Sequence, residues 1–151
     1  MVDKKQFIQE NKLSFPISEV MQKNFVYFLA NTYIEKALDE MSEKDLIGVP
    51  VVDEDMRPVG YMSERECLKV AMRLRYHNSQ AAHVGDYMGE TVITLPNTMT
   101  ISDATEEFSK NWIHSYPVVD AANRVIGVVH RHDILRFLKN IKKTTWFNKA
   151  A

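Results

Sequence analysis

Residues 49–68 read VPVVDEDMRPVGYMSERECL, and residues 116–135, about 67 positions later, read YPVVDAANRVIGVVHRHDIL. The match continues upstream without a gap, because residues 33–42 align with residues 100–109 at the same offset. About 12 of 56 aligned positions are identical, whereas random pairs of average composition match at roughly one position in 16. The chain therefore carries an internal repeat, and its fold must be built from two copies of one unit.

Each copy shows the same succession of local patterns. A short β-rich run comes first, at residues 24–28 and 91–95, and a helical segment with one apolar face follows it. Two apolar runs joined by a polar turn come next, and a second helical segment closes each copy. The closing helices are predicted from about Glu64 to Leu74 and from about Arg131 to Ile141. The predicted order of elements is β-α-β-β-α, twice.

The first helix of each copy is amphipathic. Its apolar stripe is predicted at Ile34, Ala37, Leu38 and Met41 in the first copy, and at Ile101, Ala104, Phe108 and Trp112 in the second. The pattern Thr32-x-x-Glu35 predicts a capping box at the start of the first of these helices, and Ser or Thr residues stand near the start of the second.

The order of elements predicts the topology. A helix between the first two strands makes them parallel, with a right-handed crossover, and the last two strands form a hairpin. Three short strands cannot cover both faces of their own sheet, so we expect an α/β fold in which two repeats pack with pseudo-twofold symmetry as one module. The predicted organisation is a helical arm (1–16), repeat one (17–72), a linker (73–83), repeat two (84–142) and a C-terminal tail (143–151).

Composition limits the partners and the compartment. The net charge of −1 favours no nucleic acid, and no apolar run approaches the roughly 20 residues that a membrane-spanning helix needs. The first residues are polar, so no signal peptide is expected, and a cytoplasmic location is predicted. Cys67 is the only cysteine, which suits a reducing compartment. Cys67 aligns with Ile134, which favours packing in the core over redox sensing.

The ordered set of motifs resembles a tandem pair of CBS (cystathionine-β-synthase-type) domains over residues 17–140. The set comprises VM or YM at the start of each copy, an I-x-x-A helix, PVVD after an apolar residue, and a near match to G-h-h-[ST]-x-x-D, where h is apolar. The resemblance implies a non-catalytic regulatory module that binds an adenosyl ligand between the repeats, namely AMP, ADP, ATP or S-adenosylmethionine. It also implies a homodimer that signals to an effector protein, with no required cofactor and no metal.

The resemblance further implies two ligand clefts. The Asp of the last motif would clamp the ribose hydroxyls, and the Ser or Thr would reach ribose or phosphate. Cleft 1 is placed at Asn24, Phe25, Leu46, Ile47, Gly48, Val128, His130, His132 and Asp133. Cleft 2, the weaker one, is placed at Tyr61, Ser63, Arg65, Glu66, Thr91, Val92, Ile113, His114 and Ser115.

Neither cleft keeps the whole motif. Repeat one has Ser63 but carries Glu66 in place of Asp, whereas repeat two has Asp133 but carries His130 in place of the hydroxyl. We favour the Asp133 cleft, because the ribose contact has the stricter geometry. The helix start also offers amides and a positive dipole end to an anion.

Other interpretations of the same residues remain open. Asp133 would also serve as a plain N-terminal helix residue, and His130, His132 and Asp133 would suit a metal if further ligands converged. A Ser-His-Asp triad lacks a nucleophile elbow. The basic residues Arg65, Lys69 and Arg73 recur at helical spacing, as they do on a solvated helix face.

The closing helix of repeat two has a wide apolar surface, at Ile134, Leu135, Phe137, Leu138 and Ile141. Such a surface is typical of a helix that is partly core and partly a dimer face, and Trp146 and Phe147 in the tail are expected to dock. The alternative function is a dimeric protein-interaction scaffold that binds no ligand, since both motifs are imperfect.

Overall fold

The computed structural model describes residues 14–76 and 82–142, so most of the predicted N-terminal arm, part of the linker and the tail with Trp146 and Phe147 lie outside it. The strands are β1 (Phe28–Leu29), β2 (Gly48–Val52), β3 (Pro58–Ser63), β4 (Leu95–Pro96), β5 (Ser115–Val119) and β6 (Val125–His130). The helices are α1 (Ile34–Glu43), α2 (Glu64–Tyr76), α3 (Val84–Tyr87), α4 (Ile101–Lys110) and α5 (Arg131–Lys142), and a 3-10 turn covers Ile17–Glu19.

The strands form two three-stranded sheets, ordered β1-β2-β3 and β4-β5-β6. In each sheet the first two strands are parallel and the last two antiparallel, which confirms the predicted topology. The predicted first strands are wrong in extent, because pairing begins only at Phe28 and Leu95. Upstream of Phe28, the side chain of Phe25 packs against a core cluster of valines from both sheets instead of joining the ladder.

The aspartate of each PVVD motif closes the hairpin turn that follows it. Asp53 Oδ1 accepts the backbone N–H groups of Asp55 and Arg57, both at 2.9 Å. Asp120 Oδ1 does the same for residues 122 and 124 in repeat two. The backbone N–H of Arg124 is the main reason why the pKa of Asp120 lies below its ordinary value. The most conspicuous motif of the repeat is therefore a turn, not a ligand contact.

Each repeat gives its opening segment to the other repeat. Ile17 is fully buried in the core of repeat two, and Val84 is fully buried in the core of repeat one. Met21 lies over Gly127, where an added Cβ would stand 2.6 Å from its sulfur, and Met88 lies over Gly60 in the same way, at 2.4 Å. The exchange explains why the methionine of the VM or YM motif and the glycine before the closing helix occur together in both repeats. It also joins the repeats into one pseudo-twofold module.

Two predictions about the amphipathic helices are wrong. Thr32 does not cap α1, because the residue at the N-cap is Tyr33, and the Thr32 hydroxyl instead accepts the N–H of Leu29 at 3.2 Å. In α4 the cap does form, where Thr100 accepts the N–H of Asp103 at 3.1 Å.

Trp112 does not belong to the apolar stripe of α4. The helix ends at Lys110, because Asn111 turns to extended backbone with φ −120° and ψ 144°. Trp112 therefore leaves the helix, and its side chain is 95% exposed.

Cys67 packs against the core of repeat one, as its alignment with Ile134 predicts. Its Sγ lies 3.4 Å from Met41 Sδ, and its side chain is partly buried. The residue is therefore a helix-packing thiol on α2.

Candidate functional site

A cavity of about 300 Å³ opens between the repeats. One wall is the corner between β3 and α2, and the opposite wall comes from the segments that precede β4 and β5. Its lining residues are Ile47, Tyr61, Ser63, Glu66, Gly89, Thr91, Val92, Ile93, Trp112, Ile113, His114, Ser115 and Pro117. The volume falls at the lower end of the range for small-molecule sites, and the mix of apolar walls with a few polar groups is typical of them.

The cavity brings together nearly all of the residues predicted for cleft 2. Arg65 is the exception: its side chain is exposed and does not line the cavity. The sequence interpretation missed Gly89, Ile93, Trp112 and Pro117, although each lies within a few residues of a predicted member, and it assigned Ile47 to cleft 1. Trp112 was missed because the helical period extended the apolar stripe past the true end of α4.

Ser63 and Glu66 form a capping box at the start of α2. Glu66 Oε2 accepts the Ser63 N–H at 3.1 Å, and the Glu66 N–H points back to Ser63 Oγ at 3.4 Å. This capping box was not predicted, although its S-x-x-E signature is present in the sequence at residues 63–66. The box leaves the Ser63 hydroxyl hydrogen and the second oxygen of Glu66 available to a ligand, since neither is needed for the cap.

A side-chain hydrogen bond crosses between the repeats at the cavity. The Tyr61 hydroxyl lies 2.8 Å from Ser115 Oγ, and Ser115 is 3% exposed. The Tyr61 ring lies above Gly48, where an added Cβ would stand 2.2 Å from the phenol oxygen. Burial raises the pKa of Tyr61, which keeps the phenol neutral and able to donate.

The far wall carries His114 and its neighbour Arg131. The Arg131 N–H donates to the His114 carbonyl at 3.0 Å, and the guanidinium contacts His114 Nδ1. Trp112 stands at the mouth, lining the cavity while its ring remains open to solvent. The cavity therefore has an imidazole and an indole on one side and a hydroxyl and a carboxylate on the other.

The corner at Asp133 is filled by the chain itself. Asp133 Oδ2 accepts the His130 N–H at 3.0 Å and lies 3.1 Å from His130 Nδ1. Its Oδ1 accepts the side-chain amide of Gln22 at 3.2 Å, and the Asp133 side chain is only 10% exposed. His132 is exposed. The favoured ribose clamp is therefore already bonded to donors from both repeats.

Within the described residues, no hydrogen bond joins Asp133 to the residues predicted for cleft 1 outside the 130–133 corner. Ile47 lines the cavity of cleft 2, and Leu46 lies in a groove between α1 and α2. Phe25 packs near Met56, and Asn24 is exposed. Gly48 lies beneath Tyr61, and Val128 is buried, with its N–H and carbonyl both bonded to the backbone of Gln22.

One pair of positions explains the difference between the two corners. Gln22 pairs with Val128, and Gly89 occupies the matching place, where it pairs with Tyr61. Gln22 has a side chain that reaches Asp133, whereas Gly89 has none to reach Glu66. The Glu66 corner is therefore open, and the Asp133 corner is closed.

No three His, Cys, Asp or Glu side chains converge as metal ligands within residues 14–76 and 82–142. In the same part of the chain, no helix is both long and apolar enough to cross a membrane.

A family model for the CBS domain matches the chain twice, at residues 17–73 and 84–140. The chain is 31% identical to the inosine-5'-monophosphate dehydrogenase of Aquifex aeolicus (strain VF5) over 107 residues, which cover 70% of this chain and 21% of that protein. It spans between 20% and 42% of the length of three curated relatives that it matches.

Solved structures of similar size share the fold. CBSX2 from Arabidopsis thaliana, in complex with AMP, is 25% identical with a TM-score of 0.73, and the match covers 85% of this chain and 98% of that one. The CBS domain pair of protein MJ0100, in complex with 5'-methylthioadenosine and S-adenosyl-L-methionine, is 23% identical with a TM-score of 0.69. That match covers 83% of this chain and 97% of that one.

Proposed function

Because the chain belongs to the CBS domain family and carries two copies of the domain, we propose that it is a regulatory module that binds an adenosyl ligand in the cavity beside Ser63 and Glu66. The observation that carries the proposal is this open cleft, built from both repeats, with apolar walls and a polar corner. The AMP complex of CBSX2, a protein of nearly the same extent, supports the ligand class. The module has no catalytic role of its own in this proposal.

The ligand would lie across the cavity with its ribose at the Ser63–Glu66 corner. The free oxygen of Glu66 accepts from a ribose hydroxyl, and the Ser63 hydroxyl donates to a ribose oxygen. The base lies between the side chains of Val92 and Ile113, which line the cavity opposite. Burial of the base against these apolar walls supplies most of the affinity.

The Tyr61–Ser115 hydrogen bond offers a way to report occupancy. It joins the two repeats at the cavity, and the side chain of Ser115 is polar yet buried. A ligand that contacts Tyr61 therefore changes the contact between the repeats. This shifts the populations of the module's conformations, and an effector protein binds one of them preferentially.

The proposal includes a homodimer. Leu68 on α2 and Leu135 on α5 occupy matching positions in the two repeats, and their side chains are 65% and 63% exposed. Met72 and Tyr76 extend the apolar face along α2, at four-residue spacing from Leu68. Exposed apolar side chains at positions related by the pseudo-twofold are typical of a symmetric interface. A cytoplasmic location is proposed on the sequence alone.

Calorimetric titration of the full chain with AMP, ADP, ATP, adenosine and S-adenosylmethionine tests the ligand site. We expect at least one to bind, and we expect Gly89→Gln to abolish binding, because a side chain at 89 would fill the cavity as Gln22 fills the Asp133 corner. An added Cβ at Gly89 meets only the Tyr61 carbonyl, at 3.5 Å, so the variant should fold. Glu90→Gln, at the exposed neighbouring position, is the control. The proposal fails if no ligand binds at millimolar concentration, or if Gly89→Gln binds as well as the parent.

A scaffold without ligand is the second candidate function. It is favoured by the Asp133 corner, where the chain's own Gln22 and His130 satisfy the carboxylate. The titration distinguishes it, because a scaffold binds none of the titrants. Light scattering then tests the scaffold itself, which is expected to be dimeric and to become monomeric in the Leu68→Glu, Leu135→Glu double variant.

A further inference from the structure

A groove of about 390 Å³ lies between α1 and α2 on the surface of repeat one. Most of its lining is apolar, and the side chain of Leu68 on that lining is 65% exposed. Among the described residues that line it, the charged ones are Asp45 and Glu64, and none is a Lys, Arg or His. The groove is therefore an open apolar surface that carries negative charge.

Small side chains leave space in this groove. Ala71 on α2 aligns with Leu138 on α5, and Met41 on α1 aligns with Phe108 on α4. In repeat two, both of the larger side chains pack against the core of their own repeat. Repeat one therefore has less side-chain volume at a place where repeat two has more.

Repeat two presents large apolar side chains at positions equivalent to the groove. Trp112 aligns with Asp45 and is 95% exposed, and Leu135 aligns with Leu68 and is 63% exposed. An indole with so little cover is unusual, because Trp side chains are highly buried on average. Repeat two thus offers the bulk that the groove of repeat one can accept.

The charges of the two surfaces are complementary as well. Glu64 in the groove aligns with Arg131 at the start of α5. The Arg131 guanidinium contacts His114, two residues from Trp112. A cation therefore accompanies the exposed indole, and carboxylates accompany the groove.

Two copies of the chain could pair in parallel or antiparallel, and the two pairs differ in what meets the groove. In a parallel pair repeat one faces repeat one, so the groove meets its own copy and Glu64 meets a second Glu64. In an antiparallel pair repeat one faces repeat two, so the groove meets Trp112 and Leu135, and Glu64 meets Arg131. The antiparallel pair fills the groove and opposes unlike charges, whereas the parallel pair leaves it empty and opposes like charges.

On the basis of the homodimer in the proposed function, we infer that two copies of the chain pair antiparallel, and that the groove in repeat one of each copy receives the partner's Trp112 and the partner's Leu135. The twofold axis repeats this contact, so the dimer has two filled grooves. Because Trp112 also lines the mouth of the ligand cavity, the dimer contact and the ligand site share a residue.

Cross-linking of two single-cysteine variants tests the orientation. Cys67→Ala removes the native cysteine, and Leu68→Cys and Leu135→Cys are then made separately in that chain and treated with a short bismaleimide. Neither variant is expected to cross-link by itself. An equimolar mixture, left to exchange subunits, is expected to give a covalent dimer, because residue 68 of one copy faces residue 135 of the other. Cys67→Ala alone is the control and should give none.

Three results would overturn the inference. Cross-links within either variant alone would mean that like repeats face one another. No cross-link in the mixture, for a chain that light scattering shows to be dimeric, would mean that the dimer uses another surface. A monomeric chain would overturn the inference together with the homodimer of the proposed function, while the ligand titrations would still test the cavity.

The dimer dissociation constant, measured by analytical ultracentrifugation, tests the groove itself. Trp112→Ala should raise it by about thirtyfold or more, the loss typical of truncating a Trp that fills an interface pocket. Ala71→Leu, which narrows the groove, should also raise it. Tyr27→Ala, at an exposed aromatic outside the helices, is the matched control and should change it by no more than about twofold. An unchanged dissociation constant in Trp112→Ala would overturn the placement of the indole in the groove.

Discussion

At the scale of single residues, the contrast between Gln22 and Gly89 decides which cleft is open. The two positions pair with matching residues of the opposite repeat, but only Gln22 has a side chain that reaches the helix-start acid. Asp133 was favoured because its carboxylate suits a ribose contact. That the Gln22 side chain already bonds this carboxylate is visible only in the folded chain. The difference in size between Gln22 and Gly89 is visible when the two repeats are aligned, but its effect on the two corners is not.

Gln22→Ala is expected to open the Asp133 corner. The substitution keeps the backbone pairing with Val128 and removes only the amide that occupies the carboxylate. Loss of this hydrogen bond should lower the free energy of unfolding by about 0.5–1.5 kcal/mol, measured by urea denaturation. Calorimetry should then find a second adenosyl ligand per chain. Lys23→Ala, at the exposed neighbouring position, should change neither quantity.

Cys67 is expected to be a slow thiol at neutral pH. Burial, then Glu66 and Glu64, raise its pKa from 9.0 to about 11, so the reactive thiolate is scarce until the pH approaches that value. Alkylation by iodoacetamide at pH 8, followed by mass spectrometry, should be about one hundredfold slower in the native chain than in the denatured chain. The rate should rise with pH up to about 11. Equal native and denatured rates would contradict the assigned environment.

At the scale of elements, α1 and α4 are equivalent helices of the two repeats, but their N-termini are capped differently. Thr100 caps α4 through the Asp103 N–H, whereas Thr32 precedes the true cap of α1 and bonds backward to Leu29. Periodicity placed both helices correctly, because burial of the apolar stripe dominates their formation. The end residues were harder to predict, since caps depend on one or two backbone angles that periodicity does not report.

Thr100→Ala should destabilise the chain more than Thr32→Ala does. Removal of a Thr side chain that accepts an orphan helix amide costs about 1 kcal/mol, whereas the Thr32 hydroxyl serves a turn. Urea denaturation of the two variants measures the difference. Equal losses would mean that the cap at Thr100 contributes nothing to stability.

At the scale of the whole molecule, the repeat that is visible in the sequence differs from the set of residues that packs into one core. The repeat begins at about residue 17 in sequence, yet Ile17 lies in the core of repeat two and Val84 in the core of repeat one. Neither repeat has a complete core without the opening segment of the other. This exchange makes the pair the folding unit.

Substitutions in the opening segments should therefore weaken the opposite repeat. Val84→Ala is expected to reduce amide-exchange protection mainly in α1 and β2, and Ile17→Val mainly in α4 and β5. The second change should cost about 0.5–1.5 kcal/mol and the first somewhat more, because each deletes buried methyl groups. Loss of protection mainly in the repeat that carries the substitution would contradict the exchange.

The duplication, the order and type of the elements, and the parallel and antiparallel pairings could all be predicted from the sequence, and most residues predicted for cleft 2 line one cavity. These follow from local periodicity and from motifs repeated at a constant offset, which act over short distances along the chain. Three features could not be predicted without the folded chain: which corner is open, where Trp112 lies, and the exchange by which each repeat completes the core of the other. Those outcomes depend on side chains far apart in sequence that meet only after folding, as Gln22 meets Asp133 and Tyr61 meets Ser115.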